Sequence, residues 1–211
     1  MQLHYIFDPL CGWCYGAARL VRALAAELAA NWADAAPLQL WPGALFPEPV
    51  QVAPGMRAHI TQADRRIAGL TGATFGAAYL ARIGNPAQAV TLWSVPPIAA
   101  LAACPRERQL ELLEALQRAH YLEGRDLADA AVLAELTAAH GGSDAAAQLA
   151  SPANAQAATA WIGAARQLMA RAGVGGFPGF VLEREGRLQL LDHQPGYADP
   201  ENFIEHIRSL R

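Results

Sequence analysis

Hydrophobic and polar positions along the chain repeat at two periods, and the switches between them outline the elements. Leu3, Tyr5 and Phe7 alternate with His4, Ile6 and Asp8, a run apolar enough for a buried strand. From Gly16 the period lengthens: Ala17, Leu20, Val21, Leu24 and Leu28 recur at three and four residues, with Arg19, Arg22 and Glu27 opposite, which predicts an amphipathic helix. Pro37 closes that region, and Leu38-Gln39-Leu40-Trp41 reads as a second strand. Strand, helix and strand make a unit whose crossover is expected to be right-handed.

A proline-rich connector runs from Pro42 to Pro54, and the pattern is then helical to about residue 150. One helical face is set by Met56, Ile60, Ile67 and Leu70, and a shorter one by Phe75, Tyr79 and Ile83. Pro96-Pro97 opens a helix through Leu101, another carries Leu110, Leu113, Leu116 and Tyr121, and a last one spans Leu127 to Ala139. No strand is predicted in this block. From Pro152 a long Ala-rich helix runs to Ala172 and meets the turn Gly173-Val174-Gly175-Gly176, followed by Phe177-Pro178-Gly179. Phe180-Val181-Leu182 and Leu188-Gln189-Leu190-Leu191 flank Glu185-Gly186, the signature of a hairpin. Asp199-Pro200 is a cap and first-turn pair for a final helix with Phe203, Ile204 and Ile207 inward. The expected organisation is residues 1–53, a helical insertion at 54–150, and residues 151–211. Without the insertion the order is βαβαββα, the thioredoxin arrangement of α/β elements.

Composition narrows the function classes. The chain has 211 residues, 53% of them hydrophobic and 17% charged, enough for a real core. A net charge of −3 gives no electrostatic case for nucleic acid or an anionic membrane. All 16 basic residues are Arg, a bias of composition with no mechanistic content. The segment Met1-Gln2-Leu3-His4-Tyr5-Ile6 lacks a basic region and a small-residue cleavage site, and no apolar run reaches membrane length, so a cytoplasmic protein is expected.

Chemistry concentrates in Cys11-Gly12-Trp13-Cys14, placed between the first strand and the first helix. Two thiols separated by two residues can cycle between dithiol and disulfide, and three cysteines in all do not make a structural disulfide framework. The helix start favours a thiolate on Cys11, which attacks a disulfide; Cys14, one turn on, resolves the mixed disulfide. Neither Gly12 nor Trp13 is a histidine, so the expected potential lies nearer the middle of the ~ −270 to −120 mV range than its oxidising end. Asp8, three residues before Cys11, is a candidate proton acceptor for Cys14, though an Asp before Pro also simply starts a turn. Trp13, Trp41 and Phe46 are candidates for an apolar rim, and Cys104 reads as a small buried hydrophobe. The histidines are scattered without ligand spacing, so no metal is expected; half of a zinc site is the alternative for the cysteine pair.

Asp8-Pro9-Leu10-Cys11-Gly12-Trp13-Cys14-Tyr15-Gly16, taken with Gly173-Val174-Gly175-Gly176-Phe177-Pro178, resembles the DsbA family of thioredoxin-fold proteins, above all its cytoplasmic members described as protein-disulfide isomerases. The resemblance implies Cys11 as attacking cysteine, Cys14 as resolving cysteine and Pro178 as a cis-proline. Gly12, Trp13, Gly176 and Phe177 would then border a polypeptide or small-thiol disulfide substrate, with glutathione as a reductant and no other cofactor. Where secreted DsbA oxidases carry Pro-His between the cysteines, this chain has Gly-Trp. Kappa-class glutathione transferases and 2-hydroxychromene-2-carboxylate isomerases resemble the same fold and insertion but place a serine where Cys11 stands.

Overall fold

The structure, a computed structural model, describes residues 1–32 and 37–210. Strand β1 (Gln2–Phe7) leads into a one-turn helix α1 (Gly12–Gly16) and, directly after it, α2 (Ala18–Asn31) and β2 (Gln39–Pro42). The middle of the chain holds β3 (Val50–Gln51), α3 (Pro54–Thr71), α4 (Ala77–Gly84), β4 (Thr91–Leu92), α5 (Val95–Ala103), α6 (Gln109–Tyr121), α7 (Ala130–Gly141) and α8 (Ser143–Gln148). The last third is α9 (Pro152–Ala172), β5 (Gly179–Arg184), β6 (Arg187–Leu191) and α10 (Pro200–Ser209).

Four strands form one sheet in the order β2-β1-β5-β6. Parallel β1 and β2 pair with Tyr5 opposite Leu40, and antiparallel β1 and β5 pair with Tyr5 opposite Phe180. Central β1 is buried on both faces from Leu3 to Phe7, which explains why its sequence is nearly continuous in apolar residues. The β5–β6 hairpin turns through Glu185 and Gly186 with φ of 52° and 75°, the left-handed pair that a two-residue hairpin loop requires. Helices start where the sequence supplies acceptors. Ser151 Oγ accepts from Asn154 N at 3.1 Å to open α9, and Asp199 Oδ1 accepts from Glu201 N at 3.1 Å to open α10, each with Pro following the cap.

Two expectations need correction. The middle block contains a strand: β4 pairs with β3 through Val50 opposite Leu92. Val90-Thr91-Leu92 is too short a β-branched run for a periodicity argument to register. The buried face of α3 keeps Met56, Ile60 and Ile67 of the expected one against the core but differs at Leu70 and takes in polar residues. Arg57, Asp64, Ile67 and Thr71 are inward, and Leu70 is 47% exposed.

The middle block meets the rest of the chain through α5, which packs on α9, and through α3 and α6, both of which pack on α1. Close approach is possible because α1 has no side chain at Gly12 or Gly16. A Cβ on Gly16 would lie 2.6 Å from Ile67 Cγ2, and one on Gly12 would lie 3.0 Å from Ile67 Cδ1. The Cys-Gly-Trp-Cys segment is thereby pressed between the sheet and the insertion.

Candidate active site

Strand β1 ends at Phe7, and Asp8 turns the chain. Asp8 is wholly buried, and its carboxylate is surrounded by donors: Leu10 N at 2.8 Å, Leu45 N at 2.7 Å and the Ser94 hydroxyl. Ser94 Oγ also accepts from Phe46 N at 3.0 Å, so one carboxylate ties the β1–α1 turn to the loop after β2 and to the start of α5. Burial pushes the Asp8 carboxyl above its usual range, and these donors, with Arg166 nearby, pull it back.

Cys11 stands at the N-cap of α1 in extended backbone (φ −88°, ψ 115°), with its carbonyl accepting from Tyr15 N at 3.0 Å. Its sulfur therefore sits at the end of α1 where backbone N–H groups lack intrahelical partners, the position at which Ser or Asp oxygens usually cap. Cys11 Sγ donates to the Phe177 carbonyl at 3.7 Å, which brings the first cysteine against the Phe177–Pro178 loop, 166 residues away. The Phe177–Pro178 bond is cis. Both cysteines are free thiols and hydrogen-bond to one another, but their exposures differ: 6% for Cys11 and 0% for Cys14. Burial holds the Cys14 thiol well above its usual range, the neighbouring Cys11 adds to this, and a hydrogen bond from the Asp8 backbone opposes it.

Trp13, Gly176, Phe177 and Pro178 line a cleft of about 740 Å³ with Arg66, Val174, His193 and Tyr197. Trp13 stacks on Tyr197 at 5.8 Å, and His193 holds the Pro178 carbonyl at 3.1 Å. On its other side, the Phe177 ring lies under the Arg166 guanidinium, which also donates to Ala44 O at 2.5 Å. Of the residues singled out from sequence, Cys11, Cys14, Asp8, Trp13, Gly176, Phe177 and Pro178 converge here. Gly12 does not line the cleft and faces α3 instead. Trp41 lies elsewhere, donating to His4 Nδ1 at 2.8 Å, and Phe46 packs into the main core. Cys104 is buried against Gly141 in the insertion. Among the described residues no three His, Cys, Asp or Glu side chains are grouped to hold a metal ion, and no helix is long and apolar enough to cross a membrane.

Two neighbours of the pair were not foreseen. Tyr5, one strand below, directs its hydroxyl at the Cys14 carbonyl at 3.5 Å. Asp64 on α3 is 4% exposed, receives the Tyr79 hydroxyl at 2.9 Å, and has its other oxygen 3.3 Å from where a Gly12 Cβ would be. A charged residue between Ile60 and Ile67 on the apolar side of a helix was the available signal. Burial pushes Asp64 up to about 6 from 3.8, so the folded state holds its proton more tightly than the unfolded chain. Stability is then lost as pH rises from about 4 to about 6, and the deficit persists above. Two units would amount to ~3 kcal/mol, and because real interiors respond to a buried charge more than a rigid low-dielectric medium does, ~1–2 kcal/mol is expected. Asp64→Asn keeps an acceptor for Tyr79 and removes the charge. Urea unfolding is expected to show it more stable than the parent by ~1–2 kcal/mol at pH 8 and equal at pH 4; equal midpoints at both values would refute the assignment.

A family model described as DSBA-like thioredoxin domain matches residues 2–208. The chain is 36% identical to the cytosolic disulfide reductase DsbM from Pseudomonas aeruginosa, covering 100% of both chains at a TM-score of 0.85. It is 34% identical to the DsbM structure with GSH, covering 100% of this chain and 98% of that chain at a TM-score of 0.84. A 2-hydroxychromene-2-carboxylate isomerase is similar in fold alone, at 18% identity and a TM-score of 0.58 over 98% of this chain and 96% of that one. No match was found among curated proteins.

Proposed function

The chain belongs to the DSBA-like thioredoxin domain family, and from that premise we propose that it is a thiol–disulfide oxidoreductase in which Cys11 attacks and Cys14 resolves. The observation that carries the division of labour is the unequal exposure of two adjacent free thiols at the start of a helix. Cys11, at the N-cap of α1 and in contact with Phe177 of the cleft, can meet a disulfide; Cys14, wholly buried, can meet only Cys11 or what is attached to it.

The Cys11 thiolate attacks one sulfur of R–S–S–R. One S–S bond breaks, R–S⁻ leaves and takes a proton, and a Cys11–S–S–R bond forms. Cys14 gives up its proton and attacks Cys11 Sγ. The second R–S⁻ departs, and the pair is left as a disulfide. Two electrons have passed from protein to substrate, and two thiols return the pair to its reduced form. Asp8 is the buried carboxylate whose charge Cys14 feels, and it receives the Cys14 proton in a site with no room for bulk water. The Phe177 carbonyl accepts from Cys11 Sγ and so sets the sulfur beside a residue of the cleft lining, where Trp13, Gly176 and Pro178 would border the leaving group.

We assign the direction as reducing, with glutathione as electron donor. This rests on the 36% identical disulfide reductase and its GSH-containing structure, together with Gly-Trp in place of a histidine between the cysteines. Equilibration with glutathione buffers, read by Trp13 fluorescence, tests it: a potential at or below about −180 mV is expected, and one near about −120 mV would overturn the reducing assignment. A second result is expected from Cys14→Ser. Mixed with glutathione disulfide, this variant accumulates a Cys11–glutathione adduct by intact mass, whereas the parent passes through it and ends as an unmodified disulfide. Equal adduct levels in both proteins would remove Cys14 from the mechanism.

A further inference from the structure

The cleft beside Cys11 carries an uneven distribution of charge and of spare hydrogen-bond donors. On one wall Arg66, from α3, lies over the Trp13 indole at 5.6 Å and joins none of the ion pairs among the described residues. An aromatic face orients a guanidinium without consuming its N–H donors, so the planar fork stays available to a carboxylate. In the same cleft the backbone N–H groups of Gly175, Gly176 and Phe177 have no acceptor among the described residues. Those three residues follow one another in the chain, and the Phe177 carbonyl accepts from the Cys11 thiol, so the sulfur adjoins this part of the cleft. Three other titratable side chains border the cleft, Asp192, His193 and Tyr197, and burial keeps the Tyr197 hydroxyl protonated. Asp192 spends one oxygen on Gln194 N at 3.1 Å, and burial holds His193 below its usual value, hence neutral at pH 7. Asp64 is turned away, onto Gly12 and Tyr79.

Resting on the thiol–disulfide reading above, we propose that the cleft selects small disulfides bearing carboxylates, with Arg66 as the residue that sets this preference. A substrate of that class places its sulfur at Cys11, a carboxylate on the Arg66 fork, and a carboxylate or peptide carbonyl on the free N–H groups of residues 175–177. Arg66 is exposed on its helix, so its attraction acts mainly on encounter and is weakened by salt.

The test is the single-turnover oxidation of the reduced protein at pH 7 by three disulfides. Glutathione disulfide is anionic, bis(2-hydroxyethyl) disulfide neutral and cystamine cationic. Each rate is divided by that of a free monothiol with the same disulfide, which removes intrinsic reactivity. The normalised anionic-to-cationic ratio is expected to be about tenfold at low salt and to shrink towards unity as salt rises. Arg66→Lys should retain most of it, Arg66→Gln should reduce it to about twofold, and Arg66→Glu should bring it below one. A parent ratio near one, or a ratio unmoved in Arg66→Glu, overturns the proposal and leaves the oxidoreductase standing. Failure of all three disulfides to oxidise the parent would instead overturn the function on which the proposal rests.

Discussion

Cys11→Ser is expected to abolish disulfide exchange, lowering the rate of insulin reduction by at least about a thousandfold while leaving the fold intact. A serine hydroxyl at the N-cap of α1 is a better cap than a thiol, so no loss of stability should accompany the loss of activity. It cannot form the mixed disulfide, because the reacting bond is sulfur to sulfur and an alkoxide is out of reach near neutral pH. Cys14 cannot substitute. It is wholly buried, and burial together with Cys11 keeps it protonated far above neutrality. The measurement is turnover with glutathione as reductant, accompanied by a thermal melt of both proteins. Undiminished activity in a folded Cys11→Ser protein would end the oxidoreductase reading. Glutathione conjugation surviving the same substitution would move the chain towards the chemistry of the serine-bearing relatives of this fold.

How far the sequence reaches depends on the range of the interaction that decides each feature. The β1 strand, the α2 and α9 helices, the β5–β6 hairpin and the capped start of α10 are set by residues within one element. There, periodicity and turn chemistry are sufficient. The same holds for the spacing of the cysteine pair, which four consecutive residues spell out. Features set between elements were harder to read. Strand β4 exists because β3 pairs with it across 40 residues, and Val90-Thr91-Leu92 alone gives no reason to prefer it over a turn. The inward face of α3 is decided by Gly12 and Gly16, which admit Ile67 to within contact of α1. Arithmetic on α3 alone favoured Leu70, which packing leaves exposed in the wall of the cleft. Asp64 and Tyr5 approach the cysteines only because the insertion and the sheet converge there. Phe177 is an intermediate case. Its place between a glycine-rich turn and a strand suggested proximity to the cysteines, but the particular contact, its carbonyl on Cys11 Sγ, belongs to tertiary structure.

Asp8→Ala should show the second-largest effect, and on two separable readouts. The carboxylate accepts from Leu10 N, Leu45 N and the Ser94 hydroxyl in a fully buried site. Its removal strands those donors, each at ~1–3 kcal/mol, partly offset because an ion that burial disfavours is removed as well. A net loss of ~3 kcal/mol is expected, visible as a lower urea midpoint. For the chemistry, two consequences oppose each other. Removing a negative charge near Cys14 eases its ionisation, and that charge is the least of the causes that hold the thiol up. Removing the group that receives its proton takes away an acceptor worth ~10²–10⁴. Burial, the foremost cause of the raised Cys14 thiol, is unchanged by the substitution, so loss of the acceptor wins. Resolution of the Cys11–glutathione adduct is expected to slow by about ten- to a hundredfold, while its formation, which involves Cys11 alone, changes little. Asp8→Asn separates the two roles, since it retains one carbonyl for the turn but cannot take up a proton. It should unfold closer to the parent than Asp8→Ala does and yet resolve the adduct as slowly. If Asp8→Asn resolves the adduct at the parental rate, Asp8 is a brace for the turn alone and the Cys14 proton leaves by another route.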